Sequence, residues 1–395
     1  MKQSIKIGLF GFGVVGQGVY DIIKKNKSLD ISLSKICVKH KEKKRKLPID
    51  QFTFDKNELL NDDTIDLFVE VIDDAEAAFE LVAAALKKGK NVVTANKRMV
   101  ACYGEELYKI QEETGASLLY EGSACASIPI IRTLEEYYDN DLLTSVNGIF
   151  NGSTNYILTK IFKENKDYDI ALKQAQDLGF VESNSTLDII GYDALYKLII
   201  IAVHAYGVHV KPENVVVHGI QYISRYDIAY ARERGAIIRH LSYLYKVGDD
   251  QLILYVIPQF IFPDHPFYDV DLEYNAVVVD AAFCGEQFYK GLGAGGHPTG
   301  FAVFSDISAN SYDYRYEHKK HQQGLGFKHT NDVSIEVYFR YYDEKNLAHF
   351  TFETISARYT SKEYNYVIGT IKLQSLLGKI DVLNTADIFV ARTGN

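Results

Sequence analysis

A glycine-rich turn near the amino terminus constrains the fold more than any other feature. The motif GFGVVG places Gly11, Gly13 and Gly16 after the apolar run IKIGLF and before a stretch whose apolar residues fall on one helical face. Between a strand and a helix, the first glycine permits a tight turn, the second lets the backbone approach a pyrophosphate, and the third allows close helix packing. A purely structural glycine turn is the alternative, but this setting favours a dinucleotide-binding fold.

Strand and helix patterns alternate over the first 122 residues. The apolar runs ISLSKICV, IDLFVEVI, NVVTA and ASLLYE are separated by helical stretches such as AEAAFELVAAALKKG and YGEELYKIQEETG. Such alternation predicts an α/β fold, with a Rossmann-type doubly wound parallel sheet over residues 1–122.

The pattern changes in the rest of the chain, and 395 residues are too many for one ordinary hydrophobic core. Helix-rich segments followed by strand-like runs predict a second, α+β domain over residues 123–292. A glycine loop that enters a helix predicts a return segment to the first domain over about 293–320. Alternating runs predict a small C-terminal module of unknown role over 321–395.

Charge and cysteine content exclude several classes of protein. The net charge of -9 argues against nucleic-acid binding, which needs a positive surface. The four cysteines contain no CxxC pair, which argues against a zinc site or a disulfide framework and fits a reducing cytoplasm. Because no apolar run reaches the length of a membrane span, we expect no membrane partner.

The end of the second predicted strand bears on cofactor choice. A carboxylate there typically binds the ribose hydroxyls of NAD, whereas a cation binds the 2′-phosphate of NADP. This strand ends in KHKEKKRK, and Lys39 stands closest to its end. NADP is therefore favoured, with NAD possible, while Lys41 to Lys46 are interpreted as a solvated charged loop.

Several longer motifs follow GFGVVG in a fixed order: VVTANKRMVA, YEGSACASIPII, NGIFNGSTNYILTK, LGFVESNSTLDIIGYDALYKL and GAGGHPTGFAVFSD. Over residues 5 to about 310 the chain resembles the homoserine dehydrogenase family. The resemblance implies reversible, NADP(H)-dependent reduction of L-aspartate 4-semialdehyde to L-homoserine in threonine, methionine and isoleucine biosynthesis. It also implies a homodimer formed through the second domain, which would bind this small-molecule substrate.

The resemblance assigns roles to four charged residues. Lys197 matches the proton-donating lysine, Asp193 its acidic partner at the substrate, and Glu182 the carboxylate that binds the substrate ammonium group. Lys97 matches a lysine between nicotinamide and substrate, although a lone lysine after a strand is usually solvated. An Asp–Lys surface pair is the alternative for Asp193 and Lys197, but their apolar neighbours predict a buried helix.

The resemblance also implies a fuller cofactor site and a cation site. Further cofactor positions are Val14, Val15, Gly179, Gly293 and Gly295. The loop YEGSACASI matches one that holds a monovalent cation, usually sodium, chiefly through backbone oxygens, although a simple hinge is the alternative. The implied ligand positions are Glu121, Ala124, Ala126 and Ile128.

Departures from the family pattern keep other hypotheses open. Asp73 and Asp74 stand where the family usually carries a glycine pair, so a catalytically impaired NADP-binding homologue or sensor is one alternative. Aspartate-semialdehyde dehydrogenase is another, but it needs a cysteine nucleophile, and Cys125 has no obvious base nearby. A sugar oxidoreductase of the glucose-fructose type would show EKP where this chain has ANK. No match to a regulatory ACT domain is evident beyond residue 320.

Overall fold

The computed structural model describes residues 4–140, 142–180, 186–384 and 387–394. The chain divides into two compact units. The first comprises Met1–Asp139 with Leu292–Lys319, and the second comprises Asn140–Gly291 with Lys320–Asn395. The first boundary therefore falls 17 residues beyond the predicted position at 122, since 139 minus 122 is 17, whereas the segment expected to return at about 293–320 lies in the first unit.

The first unit is built on a six-stranded parallel sheet in the order β3-β2-β1-β4-β5-β6. This is the Rossmann strand order, and it confirms the predicted fold class. The central strands β4 and β5 are almost wholly buried, as a sheet covered on both faces requires. The strands are β1 Ile5–Phe10, β2 Ile31–Cys37, β3 Phe52–Thr53, β4 Leu67–Glu70, β5 Asn91–Thr94 and β6 Leu118–Leu119.

The described part of this unit, which starts at residue 4, contains six α-helices, and two of them pack unusually closely. A Cβ atom on Gly18 would lie 2.0 Å from the carbonyl oxygen of Gly296, and one on Gly300 would lie 2.8 Å from the backbone of Gly18. Glycine at these positions therefore lets α11 lie directly against α1. The helices are α1 Val14–Lys25, α2 Lys56–Leu60, α3 Ala75–Lys87, α4 Lys97–Thr114, α5 Ile130–Glu136 and α11 Gly296–Asn310.

Some local predictions for this unit were wrong. Helix α4 begins at Lys97, six residues before the predicted stretch at Tyr103, because the side chain of Asn96 caps it by accepting a hydrogen bond from the Met99 amide. Strand β6 is shorter than the run ASLLYE because Glu121–Ser123 form a 3-10 turn. Strand β3 and helix α2 have two and five residues and were not predicted.

The second unit contains an eleven-stranded mixed sheet in the order β12-β11-β7-β9-β10-β17-β14-β16-β15, with β8 and β13 also paired to β10. Its strands are β7 Leu143–Ile149, β8 Val216–Val217, β9 Ile237–Val247, β10 Gln251–Ile261, β11 Tyr274–Ala281, β12 Gly285–Leu292, β13 Lys328–His329, β14 Ser334–Tyr341, β15 Phe352–Thr360, β16 Asn365–Lys372 and β17 Phe389–Arg392.

The remaining helices vary widely in length, and α6, α9 and α10 pack against β9 of this sheet. Among the residues with described placement, no helix is both long and apolar enough to cross a membrane. The helices are α6 Gly152–Glu164, α7 Tyr168–Asp177, α8 Thr186–Ile190, α9 Tyr192–Tyr206, α10 Arg225–Glu233, α12 Lys319–Gln322, α13 Glu344–Leu347, α14 Leu373–Leu377 and α15 Ile380–Leu383.

The carboxy-terminal segment differs from the separate module expected over 321–395. Its elements follow the β-α-β-β-α-β order of a ferredoxin-like fold, with the strands arranged β17-β14-β16-β15. Strand β17 pairs with β10 at Arg392 and Gln259, so these strands extend the sheet of the second unit. Arg340 on β14 forms a wholly buried ion pair with Asp227 on α10, at 3.3 Å. The segment is therefore an integral part of the second unit.

Candidate active site

The glycine turn has a geometry that explains each of its glycines. Gly11 has a φ of +97°, and a Cβ there would lie 2.6 Å from the carbonyl oxygen of Val71. A Cβ on Gly16 would lie 2.4 Å from the carbonyl oxygen of Gly11. The Cβ position of Gly13, the N-cap of α1, meets no atom within 4 Å. The turn thus opens the start of a helix, whose free N–H groups favour a phosphate.

A cavity of about 500 Å³ lies against this turn. Gly11, Gly13 and Gln17 line it on one side and Ile72, Ala77 and Leu81 on another. Its lining is otherwise rich in basic side chains, which are Lys39, His40, Lys43, Lys44, Arg45, Lys46 and Lys56. Such a lining suits a ligand that carries several phosphates.

The basic loop after β2 contributes more to the cavity than the sequence indicated. The guanidinium of Arg45 donates hydrogen bonds to the carbonyl oxygens of Lys43, at 2.8 Å, and His40, at 2.6 Å, and lies 5.2 Å from the Phe52 ring centroid. These contacts fold the loop back on itself. Residues 41–46 form the solvated loop expected, since all but Arg45 are exposed, but the sequence did not show that four of these side chains line the same cavity as Lys39.

Other implied cofactor positions lie at turns and helix ends. Val14 and Val15 form the first turn of α1, with Val14 exposed. Gly295 has a φ of +113° and is the N-cap of α11, two residues after the buried Gly293. Gly179, in the second unit, has a φ of +75° just after α7, so the helix end by itself accounts for a glycine there.

The acidic pair that replaces the family glycines has a structural explanation in part. The carboxylate of Asp74 is the N-cap of α3 and accepts a hydrogen bond from the Ala77 amide at 3.1 Å. A negative charge at this helix start is favourable. Asp73 and Asp74 are both exposed to solvent. The structure explains Asp74 as a cap and provides no account of Asp73.

Lys97 lies where open parallel sheets bind their ligands. It directly follows the loop after β5, at the carboxyl edge of the sheet, and is the first residue of α4. Its side chain is partly buried. The preceding residue, Asn96, caps α4 and donates from Nδ2 to the carbonyl oxygen of Ile72 at 3.2 Å. The position of Lys97 therefore depends on the two loops that Asn96 joins.

Asp193 and Lys197 form a buried pair in the second unit, on the first turns of α9. The ammonium of Lys197 donates to Oδ2 of Asp193 at 2.9 Å and to the carbonyl oxygen of Phe150 at 2.7 Å. Each residue is 5% exposed. The prediction of a buried helix is confirmed, and the alternative of a surface pair was wrong.

Two asparagines complete this cluster and were missed in the sequence. Asn151 donates from Nδ2 to Oδ2 of Asp193 and to Oδ1 of Asp188, both at 2.8 Å. Its Oδ1 caps α6 by accepting a hydrogen bond from the Thr154 amide. Asn275 on β11 donates to the carbonyl oxygen of Phe150 at 2.9 Å. Asn151 had a usable signal, an asparagine before a helical pattern, whereas nothing in the sequence distinguishes Asn275.

A buried histidine adjoins the same cluster without adding charge. Burial lowers the pKa of His240 to about 4, even though the charge of Asp193 favours protonation. Its Nε2 donates to the carbonyl oxygen of His218 at 3.1 Å. The positive charge beside Asp193 therefore comes from Lys197 rather than from His240. Glu182, the remaining substrate residue implied by the family resemblance, lies outside the described residues.

The loop implied to hold a cation is buried and strained. Cys125 and Ala126 both have left-handed backbone angles, with φ of 53° and 42°, which non-glycine residues rarely adopt. The carboxylate of Glu121 accepts hydrogen bonds from the amides of Ile131 and Arg132, each at 2.9 Å. The carbonyl oxygen of Ile128 accepts one from the Ile130 amide at 2.8 Å. Cys125 is fully buried, which does not suit an accessible nucleophile.

The first unit has a Rossmann sheet with a phosphate-binding turn and a basic cavity, and the second has a buried lysine beside a carboxylate. These features define the class of nicotinamide-dependent dehydrogenases. The family profile for homoserine dehydrogenase matches residues 129–308, and the profile for its NAD-binding domain matches residues 11–121. The chain belongs to the homoserine dehydrogenase family. It is an oxidoreductase that uses a nicotinamide cofactor and a small-molecule substrate.

Named relatives and solved structures agree with this membership. Homoserine dehydrogenase of Bacillus subtilis is 37% identical over 316 residues, which cover 78% of this chain and 73% of the relative. The enzyme of Helicobacter pylori is 35% identical over 374 residues, 90% and 86% of the two chains. The crystal structure of a homoserine dehydrogenase from Thiobacillus denitrificans superposes with a TM-score of 0.84 at 27% identity, covering 100% and 99%. A hyperthermophilic archaeal enzyme in complex with NADPH gives 0.67 at 26% identity, covering 80% and 99%.

These findings decide between the hypotheses left open by the sequence. The prediction of homoserine dehydrogenase activity is confirmed by family, relatives and structural neighbours alike. None of them supports an impaired homologue, an aspartate-semialdehyde dehydrogenase or a sugar oxidoreductase.

Proposed function

We propose that Lys197 is the general acid that protonates the oxygen of L-aspartate 4-semialdehyde as the aldehyde is reduced to L-homoserine. The observation that carries this proposal is the burial of Lys197 against Asp193 and the Phe150 carbonyl oxygen. A lysine ammonium has three N–H donors, and these two contacts use two of them. The third donates to the substrate oxygen, where negative charge develops during reduction.

Asp193 orients Lys197 and contributes to binding of the amino-acid head group. Its carboxylate lies 2.9 Å from the buried ammonium and accepts a charge-assisted hydrogen bond from it. The hydrogen bond from Asn151 fixes the same carboxylate oxygen, so its direction is set before substrate binds. Glu182 binds the substrate ammonium group, a role proposed from the family motif alone.

Lys97 orients the substrate beside the cofactor and assists proton transfer. Its location after β5 at the carboxyl edge of the Rossmann sheet supports this role, since ligands bind there in open α/β folds. The bound cofactor supplies the hydride. The Gly11–Gly16 turn and the start of α1, with Val14 and Val15, hold its pyrophosphate, and Gly179, Gly293 and Gly295 complete the site.

NADP(H) is the cofactor we propose in preference to NAD(H). The support is the concentration of basic side chains around the cavity, with Lys39 nearest to the end of β2. A 2′-phosphate carries up to two negative charges, and among the described residues that line the cavity none is acidic. That one structural neighbour was solved with NADPH is consistent with this choice.

A monovalent cation, sodium by resemblance, is proposed at Glu121, Ala124, Ala126 and Ile128. The strained residues Cys125 and Ala126 support it, because carbonyl ligation of a cation would offset backbone strain of about 1 to 3 kcal/mol per residue. By the same resemblance we propose a homodimer through the second unit, with L-homoserine passing to threonine, methionine and isoleucine biosynthesis.

The roles of the two lysines are tested by steady-state assay of Lys197→Met and Lys97→Met with L-homoserine and either NADP or NAD. We expect a loss of kcat of about 10²-fold or more in each, because a general acid and a positioning cation are removed. Lys173→Met is the matched control, since Lys173 forms an exposed pair with Asp177 at the same spacing. Full kcat in Lys197→Met would refute the assignment.

A further inference from the structure

Glu70, the last residue of β4, has a carboxylate buried in the centre of the first unit. The residue is 0% exposed. One carboxylate oxygen accepts a hydrogen bond from the Ile72 amide at 2.6 Å, and the other accepts one from the Thr94 hydroxyl at 2.5 Å. Each of these partners belongs to a different strand or loop at the carboxyl edge of the sheet. Glu70 therefore ties β5 to the loop after β4.

The hydrogen bonds continue from Thr94 to Asn96, the residue before Lys97. The Thr94 hydroxyl oxygen accepts a hydrogen bond from the Asn96 amide at 3.0 Å. Nδ2 of Asn96 donates to the carbonyl oxygen of Ile72 at 3.2 Å, and its Oδ1 accepts from the Met99 amide at 3.0 Å. Glu70, Thr94, Asn96 and Ile72 thus form a closed ring of hydrogen bonds. This ring sets the first turn of α4, where Lys97 lies.

Burial of the Glu70 carboxylate lowers the stability of the fold, so stability alone does not explain this residue. Burial raises the pKa of Glu70 to about 7, and the two hydrogen bonds only partly oppose that effect. A buried carboxylate without a counter-ion destabilises a fold relative to an apolar side chain of similar size. A neutral pair could connect the same strands. What the charged carboxylate adds is two strong, directional hydrogen bonds that fix both loops at once.

We propose that Glu70 and Thr94 are positioning residues that set Lys97 for reaction by bracing the two loops at the carboxyl edge of the Rossmann sheet. This rests on the proposed role of Lys97. Glu70 acts on two sides: through Ile72, which lines the cofactor cavity, and through Thr94, which leads to Asn96 and Lys97. Both sides reach Asn96, but only the Ile72 side also lines the cavity, so a change at Thr94 alters the connection to Asn96 and leaves the contact of Glu70 with Ile72 in place.

The test compares three variants of the intact enzyme: Thr94→Val, Thr94→Ser and the control Thr114→Val. Valine keeps the shape of threonine and removes both hydrogen bonds, but leaves the contact of Glu70 with Ile72. We expect kcat to fall about tenfold, because a displacement of the order of 1 Å at a reacting group is costly, while the dissociation constant for NADPH stays within about twofold. Thr94→Ser restores kcat, since the hydroxyl is retained.

Thr114→Val is the matched control at the far end of α4. The Thr114 hydroxyl donates to the carbonyl oxygen of Ile110 at 2.8 Å and, like that of Thr94, accepts a hydrogen bond from a backbone amide, that of Ala116 at 3.3 Å. Its loss is expected to leave kcat unchanged. Thermal unfolding of all variants, measured in parallel, shows how far each change weakens the fold.

Lys97→Met distinguishes the failure of this proposal from failure of the proposed function. If Lys97→Met retains full kcat, the role of Lys97 is wrong and the positioning role falls with it. If Lys97→Met loses kcat and Thr94→Val does not, only the positioning role is overturned. Equal losses of kcat and NADPH affinity in Thr94→Val, or no recovery in Thr94→Ser, would also overturn it.

Discussion

Nζ of Lys197 lies 2.9 Å from Oδ2 of Asp193, one turn away on the same helix, and both side chains are 6% exposed. Lys173 and Asp177 have the same spacing and a similar distance of 2.8 Å, but are 69% and 61% exposed. The two pairs have the same local sequence pattern and differ in burial. Only the buried pair has lost its water, so each charge there depends on its partner.

Asp193→Asn is therefore predicted to lower kcat by about 10²-fold, because the Lys197 ammonium loses the charged partner that orients it. The measurement is kcat for homoserine oxidation across pH. Asp177→Asn serves as control and is expected to match the unsubstituted enzyme. A full kcat in Asp193→Asn would show that the pair has only a structural role.

Lys39→Ala is predicted to raise the KM for NADP about tenfold and to leave that for NAD nearly unchanged, because only NADP carries the 2′-phosphate. The effect of Lys39→Ala on the KM for NADP should become smaller as salt is added, since Lys39 is exposed and its charge is screened. Lys109→Ala, which removes an exposed lysine on α4, is the control. Equal effects on the two cofactors would mean that Lys39 does not contact the 2′-phosphate.

Glu70 is predicted to make the fold less stable as pH rises. Its pKa is raised from an ordinary 4.5 to about 7, so between these values the folded protein holds a proton that the unfolded chain has released. The stabilisation is full below about pH 4.5 and is lost as pH rises through 7, by at most about 3 kcal/mol. Glu70→Gln lacks this dependence.

The measurement is the free energy of unfolding of both proteins by urea at pH 5 and pH 8. From pH 5 to pH 8, the free energy of unfolding of Glu70→Gln relative to that of the unsubstituted protein should rise by about 2 to 3 kcal/mol. A constant difference would mean that Glu70 has the same pKa in the folded and unfolded states.

Arg340→Met is predicted to destabilise the second unit by about 3 to 5 kcal/mol, because it leaves the carboxylate of Asp227 buried without its partner. Arg225→Met is the control, since the Arg225–Glu363 pair is 78% and 65% exposed and should contribute less than about 1 kcal/mol. Tyrosine fluorescence during urea unfolding gives both values. A separate early transition confined to the carboxy-terminal strands would contradict their integration into the sheet.

The sequence predicted best where the signal is local. Helix α1 was expected at Val14–Lys25 and strand β1 at Ile5–Phe10, and both have these bounds, because glycines mark the turn between a continuous apolar run and a helical face. The burial of Asp193 and Lys197 could also be predicted, since apolar neighbours surround them in the chain. Family motifs supplied the residue roles that periodicity could not.

The sequence failed where long-range pairing decides. Residues 387–394 join the second unit through a strand more than a hundred positions away, and no pattern in either strand names its partner. Asn275 contacts the Phe150 carbonyl oxygen for the same reason, through the pairing of β11 with β7. Arg45 lines the cavity only because its guanidinium folds the loop back on its own carbonyl oxygens.

The central claim is that Lys197 donates the proton during hydride transfer. Its most direct test is the single-turnover rate of NADPH oxidation when the preformed enzyme–NADPH complex is mixed with L-aspartate 4-semialdehyde. In Lys197→Met we predict a rate lower by about 10²- to 10⁴-fold with an unchanged dissociation constant for NADPH. A rate equal to that of the unsubstituted enzyme would contradict the account.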